Sequence, residues 1–282
     1  MAFEHYNKAL EELRTLEQLD NWTYVLSSLY QRISFSCRLN KKYEESLEWE
    51  KKALEIREAN LSENDELIAG AYSSLALAYQ AAGNSKEALN FCEKAHFMRV
   101  KLFGDKSWVT GISCDWLAMM RTLEGKFVEA LELANKARGN FEDKFGKESL
   151  YVGYNLSTMG RLYQIQEDFE EAIKCYNESI QTLEKAVIDY NLLDDKGRNF
   201  SHGEAVITLS EHPLCSKYAR VKILQRLATC YFGLEKRNQA KEVLNKSVTL
   251  AEEIGPIATK KAQAKLLKME KKFEKEKELD ND

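Results

Sequence analysis

The chain repeats one pattern of large and small side chains at intervals of 42 residues. Four segments carry the pattern, and their first residues are Ile33, Leu75, Leu117 and Met159. A fifth copy begins at Leu227, which is one further period plus 26 inserted residues. Because one copy is too short to bury a core by itself, a period of this length indicates an array of stacked repeats.

Each repeat has a small residue at two fixed positions. The residues at the second position are Ser34, Ala76, Ala118, Gly160 and Ala228, and those at the fourteenth are Ser46, Ala88, Ala130, Ala172 and Ala240. Two helices can approach closely only where their side chains are small. We therefore predict that each repeat is a pair of antiparallel helices that cross at these residues. Large residues one turn away, such as Leu75 and Tyr79, are expected to pack on the next repeat.

This pattern resembles that of the tetratricopeptide repeat family, in which a large residue, a small residue and a tyrosine lie on the first helix and spaced alanines on the second. Residues Leu75, Ala76 and Tyr79, followed by Ala88 and Ala95, carry the resemblance in one repeat. Ordinary members repeat about every 34 residues, and the longer spacing resembles the kinesin light chain subtype. The resemblance covers about residues 21–255. It implies an all-α, right-handed superhelical solenoid of about five helix-turn-helix repeats with capping helices.

The joints between repeats differ from those of the subtype. A His-Pro pair is usual there, and it occurs in this chain only at His212-Pro213. The other helices are therefore expected to begin at Asp, Ser and Asn caps, whose side chains accept hydrogen bonds from the first free N–H groups of a helix.

The expected domain organisation is an array over residues 1–256, followed by a charged C-terminal capping helix and tail over residues 257–282. Repeats are predicted near 21–60, 61–102, 103–144, 145–193 and 214–255, with an insertion at about 181–215. Amphipathic patterns predict capping helices at residues 3–19 and along the stripe of Ala262, Leu266, Met269 and Phe273. The insertion contains a short apolar run, AVITL, at residues 205–209. This run either packs back on the array or reaches across the groove and gates it.

Composition argues against nucleic acid and membranes as partners. The chain has 41 Lys and Arg residues against 45 Asp and Glu residues, which gives a net charge of −4. It therefore lacks the overall positive charge that is typical of nucleic-acid-binding proteins. No segment is apolar over the roughly 18 residues that a membrane span requires. The N-terminal sequence is not typical of a signal peptide. The six cysteines show no close pairing, and we expect them to be reduced thiols. A cytoplasmic location is expected.

The sequence contains no motif that indicates catalysis. It has no glycine-rich nucleotide-binding loop, no HExxH pair and no nucleophile elbow. We therefore predict that the protein is not an enzyme and requires no cofactor or metal. A zinc site of His202, His212 and Cys215 is the less favoured alternative. Five cysteines fall on the predicted helices and are expected to be buried: Cys37, Cys92, Cys114, Cys175 and Cys230.

The resemblance also implies where a partner would bind. The first helices of such an array line a concave face. Its inward positions lie two before, two after, five after and six after the first position of each repeat. The groove residues predicted at the first three of these positions are Gln31, Phe35 and Arg38; Ser73, Leu77 and Gln80; Asp115, Met119 and Thr122; Ser157, Arg161 and Gln164; and Gln225, Thr229 and Phe232. Amides and hydroxyls suit a peptide backbone, and the apolar members suit side-chain pockets.

We therefore predict a non-catalytic scaffold or adaptor that holds a peptide segment of a partner protein in this groove. Two other functions stay open. One is a regulatory sensor that responds to a peptide or small ligand, and the other is an assembly factor for a larger complex, such as an organellar one. A chaperone co-factor role is not expected, because the family's carboxylate clamp requires Lys and Asn where this chain has Gln31 with Phe35 and Ser73 with Leu77. The sequence does not predict the oligomeric state.

Overall fold

The computed structural model describes residues 22–186 and 213–279, with side chains over 22–186 and 216–272. Across these ranges the protein consists of eleven α-helices and contains no strand. The predicted all-α fold is therefore confirmed. Several predicted features lie outside the described residues: the helix at residues 3–19, the AVITL run, His202, His212, and the side chains of Cys215 and Phe273.

The helices form two compact units, the first of which holds described residues 22–124. Its helices are α1 (Trp22–Leu39), α2 (Tyr43–Asn60), α3 (Glu66–Ala81), α4 (Ser85–Phe103) and α5 (Trp108–Leu123). Helices α1 and α2 pack as one hairpin and α3 and α4 as the next. Between α1 and α2, the side chains of Leu26, Ile33 and Ala53 form a buried apolar cluster. The first unit is thus held together by burial of one face of each helix.

The second unit holds described residues 125–186 and 213–279. Its helices are α6 (Phe127–Phe145), α7 (Leu150–Ile165), α8 (Phe169–Lys185), α9 (Pro213–Gly233), α10 (Arg237–Glu252) and α11 (Pro256–Leu279). Helices α7 and α8 form a hairpin, as do α9 and α10. Helix α11 packs on α10, with Ala262 and Met269 buried and Leu266 against the same core. These three residues of the predicted apolar stripe therefore cover the end of the last hairpin.

Polar side chains cap the starts of several helices, as predicted from the sequence. The Asp65 Oδ1 atom accepts a hydrogen bond from the Leu67 N–H at 2.8 Å at the start of α3. The side chains of Ser107 and Ser149 accept in the same way at the starts of α5 and α7, and Asn84 does so for α4. The predicted Asp, Ser and Asn caps are confirmed for α3, α4, α5, α7 and α8, where they satisfy N–H groups that have no partner within the helix. Helices α2, α6 and α10 each follow a lysine whose side chain forms no capping hydrogen bond.

The turns inside the hairpins share one backbone conformation. The residue two positions before the second helix is in the left-handed region even where it is not glycine, with φ of 61° at Lys41, 62° at Glu167 and 58° at Glu235. The next N–H then reaches back to the first helix, as from Lys42 to the Cys37 carbonyl at 2.9 Å. This bond satisfies a carbonyl at the helix end. Three repeats therefore accept a strained non-glycine residue to keep the same turn.

The two helices of a hairpin cross at the small residues. In the first hairpin the Ser34 and Ser46 hydroxyl oxygens lie 2.8 Å apart and form a buried hydrogen bond. In the second, Ala76 and Ala88 are 3% and 0% exposed. The predicted contact point is therefore confirmed in the first hairpin, and the burial of Ala76 and Ala88 agrees with it in the second. All five cysteines that were predicted to be buried are also buried.

The large residues pack in the opposite direction to that predicted. Leu75 and Tyr79 of α3 contact Leu47 and Leu54 of α2, which belong to the preceding repeat, together with Phe91 of α4. The prediction that they pack on the next repeat is wrong for this pair. The reason is that α3 follows α2 directly and packs against it. The face of α3 that carries Leu75 and Tyr79 therefore lies against the second helix of the preceding repeat.

Enlarging a crossing residue is expected to destabilise the protein. The Ala88→Leu substitution adds three carbons at a fully buried position and should lower the free energy of unfolding by about 1–3 kcal/mol through overpacking. Urea denaturation would measure the change. The matched control is Lys86→Leu, at an exposed position of the same helix. Equal stability of the Ala88→Leu variant and the wild type would contradict the crossing.

At the crossing of α7 and α8, a glycine lies against a large aromatic side chain. A Cβ atom built on Gly160 would lie 2.8 Å from the Tyr176 ring, so α7 can carry only glycine here without a shift of the ring. Tyr176 is fully buried. The position of Tyr176 holds smaller residues in the second and third repeats, Cys92 and Ala134, and there the position of Gly160 holds alanine. The large side chain of Tyr176 on α8 is thus accommodated because Gly160 on α7 has no side chain.

Candidate partner-binding surfaces

The nine predicted groove residues of the first unit are not equally accessible. Four of them are at most 8% exposed: Gln31, Ser73, Met119 and Thr122. Five are exposed or half-buried: Phe35, Arg38, Leu77, Gln80 and Asp115. Because a partner contacts only accessible atoms, the candidate surface of this unit is limited to the second group.

Gln31 is buried because it belongs to a polar network around Arg57. The Arg57 guanidinium donates to the Gln31 Oε1 atom at 2.8 Å, to the Ser27 hydroxyl at 2.9 Å and to the Leu67 carbonyl at 2.7 Å. The Gln31 amide donates in turn to the Ser74 hydroxyl at 2.9 Å. Arg57 is fully buried. The network therefore joins α1, α2 and α3, and Gln31 has a structural role.

Glu50 lies next to this network and is 1% exposed. Burial raises its pKa to about 7, while hydrogen bonding to Ser34 and the charges of Arg38 and Arg57 act in the opposite direction. Burial also lowers the pKa of Arg57, to about 10. Among the described residues, none donates a hydrogen bond to the Glu50 Oε2 atom. Desolvation therefore outweighs the favourable charges around this carboxyl group.

Two exposed leucines extend the accessible surface of the first unit. Leu39 is 69% exposed and Leu123 is 47% exposed. Both lie six residues after the first position of their repeats, which is an inward position, although neither is among the predicted groove residues. Together with Phe35 and Leu77 they define the apolar first-helix surface, which comprises Phe35, Leu39, Leu77 and Leu123. Arg38 borders it, with its guanidinium 5.6 Å from the centre of the Phe35 ring.

The predicted groove residues of the second unit are more polar. Ser157 is 9% exposed and therefore buried. The others are half-buried: Arg161, Gln164, Gln225, Thr229 and Phe232. The Tyr176 hydroxyl donates to the Gln164 Oε1 atom at 2.8 Å, and the Lys272 ammonium lies 4.7 Å from the centre of the Phe232 ring. This side of the unit therefore presents amide, hydroxyl and guanidinium groups beside one aromatic ring.

A groove of about 700 Å³ lies on the second unit between α8, α9 and α10. Leu224, Leu227 and Val243 are among its apolar lining residues. Its charged lining residues pair within the protein, for example Arg220 with Glu184 at 2.8 Å. The groove therefore has apolar lining residues, and the charges of its charged lining residues are compensated by ion pairs within the protein.

The described residues indicate neither a metal centre nor a membrane span. No group of three or more His, Cys, Asp or Glu side chains that could hold a metal ion occurs among them. No helix in the same ranges is both long and apolar enough to cross a membrane.

Comparisons with known proteins identify the family. Its model, Tetratricopeptide repeat, matches residues 24–97 and 112–185, and a second model with the same description matches residues 221–254. No curated protein sequence matches the chain significantly. Among solved structures, BtubC (BKLC) from P. vanneervenii has a TM-score of 0.62 at 17% identity, and the match covers 89% of this chain and 90% of that one.

Two further structures share the fold. A Podosopora anserina putative kinesin light chain with nearly identical TPR-like repeats has a TM-score of 0.53 at 20% identity, covering 78% of this chain and 92% of that one. NprR in complex with its cognate peptide NprX has a TM-score of 0.63 at 18% identity, covering 96% of this chain and 68% of that one. Since the first family model alone matches more than half of the sequence, the chain belongs to the tetratricopeptide repeat family.

Proposed function

We propose that the protein binds a peptide segment of a partner protein on the apolar first-helix surface. The tetratricopeptide fold supports a protein–protein interaction scaffold, and proteins of this family are generally non-catalytic. The observation that carries the proposal is the recurrence of exposed apolar side chains at matching repeat positions. Leu39 and Leu123 occupy the same position on α1 and α5 and are 69% and 47% exposed.

The surroundings of these leucines suit a peptide. Phe35 is 38% exposed and Leu77 half-buried, so both can contact an apolar side chain of a ligand. Gln80 lies on α3 with Leu77, and Asp115 lies on α5 with Leu123. The Gln80 amide can hydrogen-bond to peptide N–H and C=O groups, and the Asp115 carboxylate can accept from peptide N–H groups. A few apolar anchors with polar groups around them are typical of peptide recognition, and we expect a dissociation constant in roughly the micromolar range.

Selection from a displayed library of random peptides tests the proposal. Peptides enriched on the wild-type protein are expected to bind the double variant Leu39→Glu, Leu123→Glu at least about tenfold more weakly, because each carboxylate replaces an apolar contact. Both positions are exposed, so the variant should remain folded, which circular dichroism would verify. Phe97→Glu is the matched control, since Phe97 is 74% exposed on the second helix α4. If no peptide is enriched, or if the double variant binds the enriched peptides as the wild type does, the proposal fails.

The sensor and the assembly factor stay as alternative hypotheses. A sensor would change its helix arrangement when a selected peptide binds. An assembly factor would bind a folded partner through a broad apolar patch on the second helices.

A further inference from the structure

Positive charge is concentrated in the last part of the second unit. Residues 213–272, which hold α9, α10 and most of α11, contain 14 Lys and Arg residues against five Asp and Glu residues, a net charge of +9 in a chain whose total is −4. The basic segment ends there, because residues 273–282 hold two Lys residues against five Asp and Glu residues. Such an uneven distribution of charge indicates an interaction with an anionic surface.

Helix α11 contributes six of these positive charges. One side of the helix packs on the last hairpin, where Ala262 and Met269 are buried. Glu270, the one acidic residue between positions 256 and 272, pairs with Lys241 of α10 at 3.1 Å. The six lysines of the same stretch are all exposed: Lys260, Lys261, Lys265, Lys268, Lys271 and Lys272. This part of α11 therefore presents charge of one sign to the solvent.

Two large apolar side chains lie among these lysines. Ile257 is 74% exposed and Leu267 is 54% exposed. At 3.6 residues per turn, they share about a third of the helix circumference with three of the lysines. We call this surface the outer face of α11, and it comprises Ile257, Lys260, Leu267, Lys268 and Lys271. Lysines beside exposed aliphatic side chains are typical of a helix that lies on a lipid bilayer.

We propose that the outer face of α11 binds the surface of a membrane that contains anionic phospholipids. A helix with about four to eight clustered basic residues is typical of proteins that bind acidic lipids. Ile257 and Leu267 enter the boundary between headgroups and acyl chains, and the lysines extend along it so that their ammonium groups reach the phosphates. The site is on the second unit and does not depend on peptide binding by the first.

Lipid fits this face better than other polyanions do. Nucleic acid offers phosphates but no apolar phase in which Ile257 and Leu267 could be buried. An acidic protein presents carboxylates at fixed positions, for which the planar guanidinium of arginine is the better match. Every basic residue of the outer face is instead lysine, a point charge on a flexible stem that can follow mobile headgroups.

Sedimentation of the full chain with vesicles tests the proposal. One set of vesicles contains phosphatidylcholine and phosphatidylserine, and the other contains phosphatidylcholine alone. The protein is expected to sediment with the first set and to remain in the supernatant with the second. Added sodium chloride should release it, because salt screens the attraction between exposed charges. Binding to neither set, or equal binding to both, overturns the proposal.

Neutralising the lysines makes the test specific to α11. The variant carries three substitutions on the outer face: Lys260→Gln, Lys268→Gln and Lys271→Gln. It should bind the anionic vesicles about a hundredfold more weakly, because each lysine near an anionic surface contributes about fivefold. The matched control removes three exposed lysines from α4 and should bind as the wild type does: Lys86→Gln, Lys94→Gln and Lys101→Gln. Circular dichroism would verify that both variants are folded. Wild-type binding by the α11 variant overturns the proposal.

The apolar residues distinguish a membrane from a soluble polyanion. The double variant Ile257→Ser, Leu267→Ser should bind the anionic vesicles about tenfold more weakly, because serine does not enter the acyl boundary. Phe97→Ser, at a 74% exposed position of α4, is the control. An unchanged double variant, or tighter binding of the wild type to duplex DNA or polyglutamate than to the vesicles, overturns the membrane assignment. None of these outcomes affects the peptide selection, whose variants leave α11 unchanged.

Discussion

Replacing Arg57 by leucine is expected to lower the free energy of unfolding by about 3–5 kcal/mol, the range found when one member of a buried charged network is removed. Arg57 donates to three acceptors, the Ser27 hydroxyl, the Leu67 carbonyl and the Gln31 amide oxygen. Each buried acceptor that loses its donor costs about 1–3 kcal/mol. Leucine also fills less of the space that the fully buried arginine occupies. Urea denaturation of the variant and the wild type measures the difference.

A double variant distinguishes the polar network from simple packing. The same repeat positions hold leucine elsewhere: Leu183 stands where Arg57 does and Leu244 where Glu50 does, and both are buried. We expect Glu50→Leu combined with Arg57→Leu to recover a large part of the stability that Arg57→Leu loses, because the uncompensated carboxyl group is gone. Arg32→Leu, at an exposed position, should cost little. A double variant no more stable than Arg57→Leu would show that the packing of Arg57, and not its pairing, is what matters.

Stability is expected to fall as pH rises from about 5 to 8. The pKa of Glu50 is raised from an ordinary 4.5 to about 7 in the folded protein. The folded state therefore binds the Glu50 proton more tightly than the unfolded state does. This contribution is fully present below about pH 4.5 and is lost as the pH rises through 7, with a total of about 3 kcal/mol.

The Glu50→Gln substitution tests this contribution. Glutamine keeps the size of the side chain and cannot ionise, so the variant should lose this part of the pH dependence and exceed the wild type in stability at pH 8. Urea midpoints at several pH values would measure both effects. Glu48→Gln, at an exposed position of the same helix, should keep the wild-type profile. A wild-type stability that is constant or rises between pH 5 and 8 would contradict a raised pKa at Glu50.

The sequence predicts the hairpins well because their determinants are local and recur. Small residues at fixed positions can only mark close approach of two helices, so Ser34 and Ser46 were correctly placed against each other. Cap residues act on N–H groups two or three positions away, so Asp65 was predictable as well. The packing direction of Leu75 was not predictable, because it depends on which neighbouring repeat lies against the face of α3 that carries this residue.

The candidate site was predicted less well, because accessibility depends on side chains from other helices. Gln31 occupies an inward position, yet Arg57 of α2 donates to its amide oxygen and its own amide donates to Ser74 of α3, and so it is buried. Nothing in the sequence of α1 indicates where the long side chain of Arg57 ends.

The match between Gly160 and Tyr176 limits how such a gene can be rearranged. Unequal recombination between repeats joins the front of one copy to the back of another. A breakpoint in the turn inside a hairpin would join a first helix carrying alanine, such as Ala76, to the helix that carries Tyr176, and the alanine Cβ would collide with the ring. A breakpoint between hairpins passes each helix on with its own partner. The heritable module of this array is therefore the complete hairpin.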